Sequence, residues 1–327
     1  MEQILKDSRV LVTGGAGFIG SNLVESFLLS GNTVVCLDNF STGKRENLKP
    51  FANNPKFKLI EGDIRNYDDC IKAVANIDFV FHQAALGSVP RSITDPVTST
   101  DVNIGGFVKI LFASKESGVK RFIYAASSST YGDQPDLPKV EEIIGAPLSP
   151  YAITKYVDEL FANNFTKTYG IDVIGLRYFN VFGRRQDPDG AYAAVIPKFM
   201  KSLMKHQIPL INGDGSVSRD FTYIDNVIQA NHLASVVQDK AAINQVYNVA
   251  HGERTTLNQL FFMIRELASG FDKDIIKIEP VYGPARMGDI PHSLASIEKA
   301  KKLLHYSPIL NVEQGLKEAV KWYWANL

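Results

Sequence analysis

Between Val10 and Asp38 the chain reads VLVTGGAGFIGSNLVESFLLSGNTVVCLD: Gly14, Gly17 and Gly20 separate a β-rich run from an amphipathic one, and a second β-rich run ends in an acid. Glycine lets the backbone turn tightly and approach a bulky anion, while the helix that follows offers unpaired N–H groups and the positive end of its dipole. A glycine triplet alone is an ordinary turn. The strand before it, the helix after it and an acid eighteen residues beyond Gly20 mark a dinucleotide-binding turn. Asp38 could accept bonds from both ribose hydroxyls and would repel a 2′-phosphate, which favours NAD over NADP.

The same alternation continues. After Phe18 to Ser30 (helix) come TVVCLD, FKLIEGD, a helix from about Tyr67, DFVFHQAA, a helix from about Val97 to Ser117, RFIYAASS, a helix from Tyr151 to about Tyr169, and IDVIGLRYF. Strands alternating with helices require right-handed crossovers and a parallel sheet covered on both faces. The fold class expected is therefore α/β, a Rossmann-type doubly wound parallel sheet with a smaller C-terminal α/β lobe. Residues 1–179 form the first domain, rejoined by about 221–250, where a helix near Val227 to Val237 and the strand QVYNVA return to the sheet. The stretches 180–220 and 251–327, with their Gly- and Pro-containing loops, form most of the second lobe. A cleft between the two is the expected ligand site.

Composition excludes several classes. The 35 basic and 35 acidic residues cancel, so nothing global draws the chain to nucleic acid or an anionic membrane. Cys36 and Cys70 alone give neither a disulfide framework nor metal-ligand spacing, and a reducing cytoplasm is expected. No stretch approaches the about 18 apolar residues that span a bilayer; no membrane partner and no metal are expected.

Beyond the glycine turn, GDIRN places Asp63 and Ile64 at a strand end, where they either meet an adenine or form a solvated turn. The small residues of HQAA suit either close passage of a cofactor or tight packing, and His82 reads as a packed histidine. AASSSTYG ends the fifth strand; if it stays extended, Ser127 and Ser129 share one side and Ser128 takes the other. YAITK puts Tyr151 and Lys155 one turn apart on one helix face, with Pro150 suited to the first helical position. An ammonium beside the phenol and a positive nicotinamide ring both stabilise a phenolate, giving a base for a sugar or alcohol hydroxyl. A nucleotide diphosphate needs cationic forks, for which Arg219 and Arg286 are candidates.

TGGAGFIG, SSSTYG, YAITK and RYFNVFG together resemble the extended short-chain dehydrogenase/reductase family over nearly the whole chain. Within it, ALGSVPRS, GLRYFNVFGRRQDPDGAYAAVIPKF, INGDGSVSRDFTYIDN and NQVYNVA are most similar to UDP-N-acetylglucosamine 4-epimerases. The resemblance implies an NAD-dependent isomerase that interconverts UDP-N-acetylglucosamine and UDP-N-acetylgalactosamine through a transient 4-keto sugar. Tyr151 would be the base, Lys155 would hold the nicotinamide ribose and Ser127 would bond the sugar oxygen. It extends the cofactor surface from Gly14, Gly17, Gly20, Asp38, Asp63, Ile64, Tyr151 and Lys155 to Phe18, Ile19, Asn39, Ser41, Thr42, Gly43, Gln83, Ala84, Ala85 and Tyr178.

Substrate contacts are implied for Gly87, Ser88, Ser127, Ser128, Ser129, Tyr151, Asn180, Ala194, Val195, Asn212, Arg219, Arg286, Asp289 and Ser293, with Asn212 in the uracil-side loop. Arg184 and Arg185 would order their own loop. Sugar-nucleotide 4,6-dehydratases carry an Asp-Glu pair where this chain has Ser128 and Ser129, and serine supplies no carboxylate general acid. Hexose-restricted epimerases have tyrosine where this chain has Ser293, and a small residue leaves room for an N-acetyl group. Arg91 could instead pair with a C6 carboxylate, so a UDP-uronic or N-acetylhexosaminuronic acid 4-epimerase, a UDP-glucose/UDP-galactose 4-epimerase and a non-catalytic NAD-bound regulator stand as alternatives. A homodimer joined through the helices near Val97 and Tyr151, and a part in polysaccharide biosynthesis, complete the expectations.

Overall fold

The computed structural model describes residues 4–189, 194–285 and 291–327. The first half runs β1 (Arg9–Thr13), α1 (Phe18–Leu29), β2 (Thr33–Asp38), β3 (Phe57–Glu61), α2 (Tyr67–Val74), β4 (Phe79–His82), α3 (Val89–Thr94), α4 (Pro96–Thr100), α5 (Phe107–Glu116), β5 (Arg121–Ser127), α6 (Pro150–Tyr169) and β6 (Val173–Tyr178). There follow β7 (Val181–Phe182), α7 (Val195–Met204), β8 (Leu210–Asn212), β9 (Ser218–Arg219), β10 (Thr222–Tyr223), α8 (Ile224–Val236) and β11 (Gln245–Val249). The chain finishes with β12 (Thr255–Thr256), α9 (Leu257–Ser269), β13 (Val281–Gly283), α10 (Glu298–Leu304) and α11 (Val312–Asn326).

Seven strands form one parallel sheet in the order β11-β6-β5-β4-β1-β2-β3. Its inner strands are largely apolar because both faces are covered, whereas the edge strand β3 exposes Lys58, Leu59 and Glu61. Val10 and Val12 of β1 enter one core with Leu23, Val24 and Phe27 of α1, while Leu11 between them enters the other with Phe107 and Ile110 of α5. That is the two-residue period of a strand serving two cores at once. Phe27 lies fully buried with its ring 4.3 Å from Phe81; burial of such a side chain stabilises by about 1.5–3 kcal/mol. Strand order reverses between β1 and β4, so the loops leaving their C-terminal ends diverge and open a crevice.

The helix expected from Val97 to Ser117 is interrupted. A π turn, Asp101–Gly106, separates α4 from α5. Asn103 turns inward there: its Oδ1 accepts from Leu86 N at 2.8 Å, and its Nδ2 donates to Thr154 Oγ1 at 3.1 Å. Gly106 lies against Ile64, where a Cβ would stand 2.5 Å from Ile64 Cδ1. In this segment of weak helix formers, Asp101 to Gly106, tertiary bonding sets the backbone and regular α-helix gives way to a π turn.

In the second lobe, short strands pair as β8 with β13, β9 with β12 and β7 with β10, while α7, α9 and α11 pack on one another. Asn212, expected in a loop, ends β8 and pairs with Gly283; the loop begins at Gly213, whose φ of +73° suits glycine.

Candidate active site

A cavity of about 1520 Å³ runs from the glycine turn, past the ends of β4 and β5, to the second lobe. Every cofactor candidate named from the sequence lines it. So do the substrate candidates Gly87, Ser88, Ser127, Ser128, Tyr151, Asn180, Ala194, Val195, Asn212 and Arg219. Ser129 and Ser293 are not among the lining residues, and Arg286 and Asp289 lie outside the described residues.

At the nucleotide end, Gly14 adopts φ +68°, and a Cβ there would sit 2.7 Å from Ala84 N. A Cβ on Gly20 would stand 2.1 Å from Gly14 O, so the start of α1 packs directly on the turn. Gly17 is the N-cap of α1 and has no side chain to satisfy the first N–H groups, which leaves a cradle suited to a pyrophosphate. Asp38 ends β2, buried, its two oxygens accepting from Ala16 N at 2.9 Å and Phe40 N at 2.8 Å. Burial pushes its carboxyl above the usual range. Asn39 Nδ2 donates to Asp63 Oδ2 at 2.8 Å, joining the ends of β2 and β3, and Arg65 bonded to Asp63 holds that carboxyl down at about 2. His82 is buried beneath, 2.8 Å from Thr13 Oγ1, and burial holds it neutral with its pKa at about 3. It is a packed histidine, as its sequence context indicates.

At the chemical end the strand does not stay extended past Ser127. Ser127 caps a 3-10 turn, Ser128–Tyr131, and its Oγ accepts from Ser129 N at 3.2 Å and from Ser129 Oγ at 2.8 Å. Ser129 therefore backs Ser127 from behind the cavity wall, because a turn, not a pleat, sets its direction. α6 starts where Pro150 predicts: Pro150 takes the first helical position and Ser149 Oγ accepts from Ala152 N at 3.1 Å. Tyr151, half-buried, has its N–H bonded to Ser92 Oγ at 3.0 Å, and Thr154 Oγ1 donates to Tyr151 O at 2.8 Å. Lys155 Nζ, almost wholly buried, donates to Ala125 O at 3.0 Å and to Asp158 Oδ2 at 3.3 Å. Tyr178 OH accepts from Gln83 Nε2 at 3.2 Å and Asn231 Nδ2 at 2.9 Å.

In the second lobe Arg219 lies on β9, its Nη1 donating to Ser218 O at 2.9 Å and Pro291 O at 3.3 Å. Asn180 Nδ2 donates to Asp220 O at 3.2 Å. Ser293 N donates to Ser218 O at 3.1 Å, which lays its segment along β9. Arg184 and Arg185 fasten their loop outward, Arg184 to Asp225 at 2.6 Å and Arg185 to Glu25 at 2.9 Å.

Four residues of the site region escape the sequence motifs. Asn103 gives no signal, since its role arises from a contact with Leu86. Asp158, three residues after Lys155, was within reach of the i,i+3 rule. Arg177 on β6 and Glu159 on α6 form a buried fork-to-fork pair behind the site, at 2.8 and 2.7 Å. Among the described residues no cluster of acids, histidines or cysteines could hold a metal ion, and no helix is long and apolar enough to cross a membrane.

The chain is similar to known proteins over nearly its whole length. Residues 10–250 match the model of the NAD dependent epimerase/dehydratase family. A putative UDP-glucose 4-epimerase of Methanocaldococcus jannaschii is 36% identical over 315 residues, 96% of this chain and 97% of that one. Among solved structures, the UDP-N-acetylglucosamine 4-epimerase of Methanobrevibacter ruminantium, in complex with UDP-N-acetylmuramic acid, superposes with a TM-score of 0.91 at 40% identity. That match covers 99% of this chain and 100% of the other. The Thermus thermophilus UDP-glucose 4-epimerase in complex with NAD superposes with a TM-score of 0.85 at 32% identity, covering 98% and 100%. The chain belongs to the NAD dependent epimerase/dehydratase family.

Proposed function

We propose that the chain is a UDP-sugar 4-epimerase that uses NAD, and that its preferred pair is UDP-N-acetylglucosamine and UDP-N-acetylgalactosamine. The observation that carries this reading is the convergence of the glycine turn, Ser127, Tyr151 and Lys155 on one cavity that continues to Arg219. The cradle at Gly14, Gly17 and Gly20 fits a pyrophosphate, Asp38 the adenosine ribose, and Lys155 the nicotinamide ribose. NAD held there would supply the hydride chemistry at sugar C4, taking and returning one hydride with no net redox change.

The chain's own residues manage the proton and the sugar. Tyr151 takes the proton of the C4 hydroxyl as the C4–H bond breaks and gives it back to the same oxygen when that bond re-forms. Ser127, its Oγ already accepting from Ser129, donates to the C4 oxygen and holds it beside Tyr151. Arg219, Asn180 and, outside the described residues, Arg286 and Asp289 are assigned to the nucleotide diphosphate and its ribose. Ser128 and Ser129 offer no carboxyl to expel a C6 hydroxyl, so the reaction returns to a hydroxyl instead of proceeding to elimination.

The sugar preference rests on Ser293, a small residue where hexose-restricted relatives of this kind carry tyrosine. Turnover of UDP-N-acetylglucosamine, UDP-N-acetylgalactosamine, UDP-glucose and UDP-galactose, with the UDP-uronic acids as a further arm, tests the reading. The N-acetylated pair should show the highest kcat/KM, and Ser293→Tyr should abolish its turnover while sparing the hexose pair, because the longer ring would reach the sugar from a segment that does not itself line the cavity and would clash with the N-acetyl group. A higher kcat/KM on plain hexoses or uronic acids, or equal losses in the variant, would refute it. Two copies are inferred to pair through α4 and α6, where Val97, Ile153 and Leu160 are exposed; Ile153 and Leu160, seven apart, share a helix face.

A further inference from the structure

We propose that Asp158 is a positioning residue for the Tyr151–Lys155 pair: its carboxylate is the countercharge that keeps the buried lysine protonated and aimed into the cavity. The inference rests on the functional reading above. Lys155 and Asp158 stand three residues apart on one face of α6, with side chains 3% and 0% exposed. An ammonium has three N–H donors. One goes to Ala125 O at 3.0 Å and one to Asp158 Oδ2 at 3.3 Å, which leaves one for a ligand hydroxyl. Without a countercharge, an ammonium at this depth sheds its proton easily, because burial disfavours the charged form.

The surrounding ionisable groups leave that task to Asp158. His82 from β4 is buried and neutral, and Tyr124 from β5 is buried with its phenol held protonated. Glu159 on α6 is committed to Arg177 of β6. From the turn after β5, Tyr131 donates its hydroxyl to Asn248. The π turn's Asp101 pairs with Arg65, α4 carries no charged side chain, and α3 carries Arg91. On α5, Lys115 pairs with Glu116, and Lys109 acts on Cys70 across the α2 side. Asp158 Oδ1 accepts no bond from a described residue, so the carboxylate's only committed partner among them is Lys155. Burial pushes Asp158 up to about 7 against the pull of Lys155, so its charge is in place from mildly alkaline pH upward.

The test compares the unaltered chain with Asp158→Asn, Asp158→Ser, Lys155→Met and the double variant Asp158→Asn/Lys155→Met. NAD retained after gel filtration is followed as a function of pH, alongside the pH profile of kcat/KM. In both Asp158 variants the pH of half-release and the alkaline limb of kcat/KM should fall by at least one unit, about tenfold in lysine protonation. Asp158→Asn should add no further pH dependence to Lys155→Met. Curves that superimpose on those of the unaltered chain, a shift that persists without Lys155, or failure of both Asp158 variants to fold would each overturn the proposal. Failure of the functional reading looks different: NAD is bound and no UDP-sugar turns over, while the release curves still decide the part played by Asp158.

Discussion

Removing Glu159 isolates a buried charge behind the site, that of Arg177. Arg177 lies on β6 with its side chain 4% exposed, gripped by Glu159 through Nε–Oε1 at 2.8 Å and Nη2–Oε2 at 2.7 Å. Glu159→Leu leaves the guanidinium with Nη1 on Glu141 O at 3.0 Å and its Cζ 4.8 Å from the Tyr131 ring centroid. Breaking a buried pair from one side costs about 3–5 kcal/mol, and the surviving carbonyl bond and aromatic face, each worth about 1 kcal/mol, keep the loss near about 3 kcal/mol. That is a large share of the about 5–15 kcal/mol that domains possess, yet it leaves a folded protein to measure. Urea unfolding at pH 7 should show a lowered midpoint with an unchanged slope. The double variant Glu159→Leu/Arg177→Met removes both charges, and an apolar pair of similar volume should recover most of the loss. A single-variant loss under about 1 kcal/mol, or a double-variant loss as large as the single, would refute the view that an unpaired buried charge is what destabilises.

Gly20→Ala forces a Cβ to 2.1 Å from Gly14 O and 2.8 Å from Gly15 Cα, backbone that cannot yield; about 1–3 kcal/mol of overpacking should appear as a lowered Tm and at least about tenfold less bound nucleotide on chromatography, whereas full retention refutes the close-packed turn. Asp63 is held down at about 2, chiefly by Arg65, so its stabilisation is complete above the unfolded carboxyl range near pH 4 and is lost as pH falls through about 2. The Tm gap between the unaltered chain and Asp63→Asn should therefore be constant from pH 5 to 7 and close towards pH 2; a gap that widens on acidification contradicts it. Leu160→Glu puts a charge on an exposed apolar face of α6 and should halve the mass seen by light scattering if two copies pair there; an unchanged dimer mass places the contact elsewhere.

What the sequence conveys well is whatever is local and periodic. The main sheet is legible because a strand buried on both faces is an unbroken apolar run, as in β1 and β2, and because the glycine turn needs its residues within one stretch of chain. Tyr151 and Lys155 are legible for the same reason, one helix turn separating them. Legibility ends where one segment is set by another far away. Asn212 reads as loop until Gly283 arrives to pair with it; residues 101–106 read as regular helix until Leu86 claims the side chain of Asn103. Ser129 illustrates a third failure, in which the local rule was right but its premise was not: alternation holds only while the chain is extended, and Ser127 ends the extension by capping the next turn. Asp158 differs from all of these. Its spacing from Lys155 was visible, but a carboxylate at i+3 ordinarily marks a solvated pair worth a few tenths of a kcal/mol. Burial changes its meaning: at 0% exposure the same pair is cut off from water, where an unpaired charge is far more costly, and depth within a fold is what no i,i+3 spacing encodes.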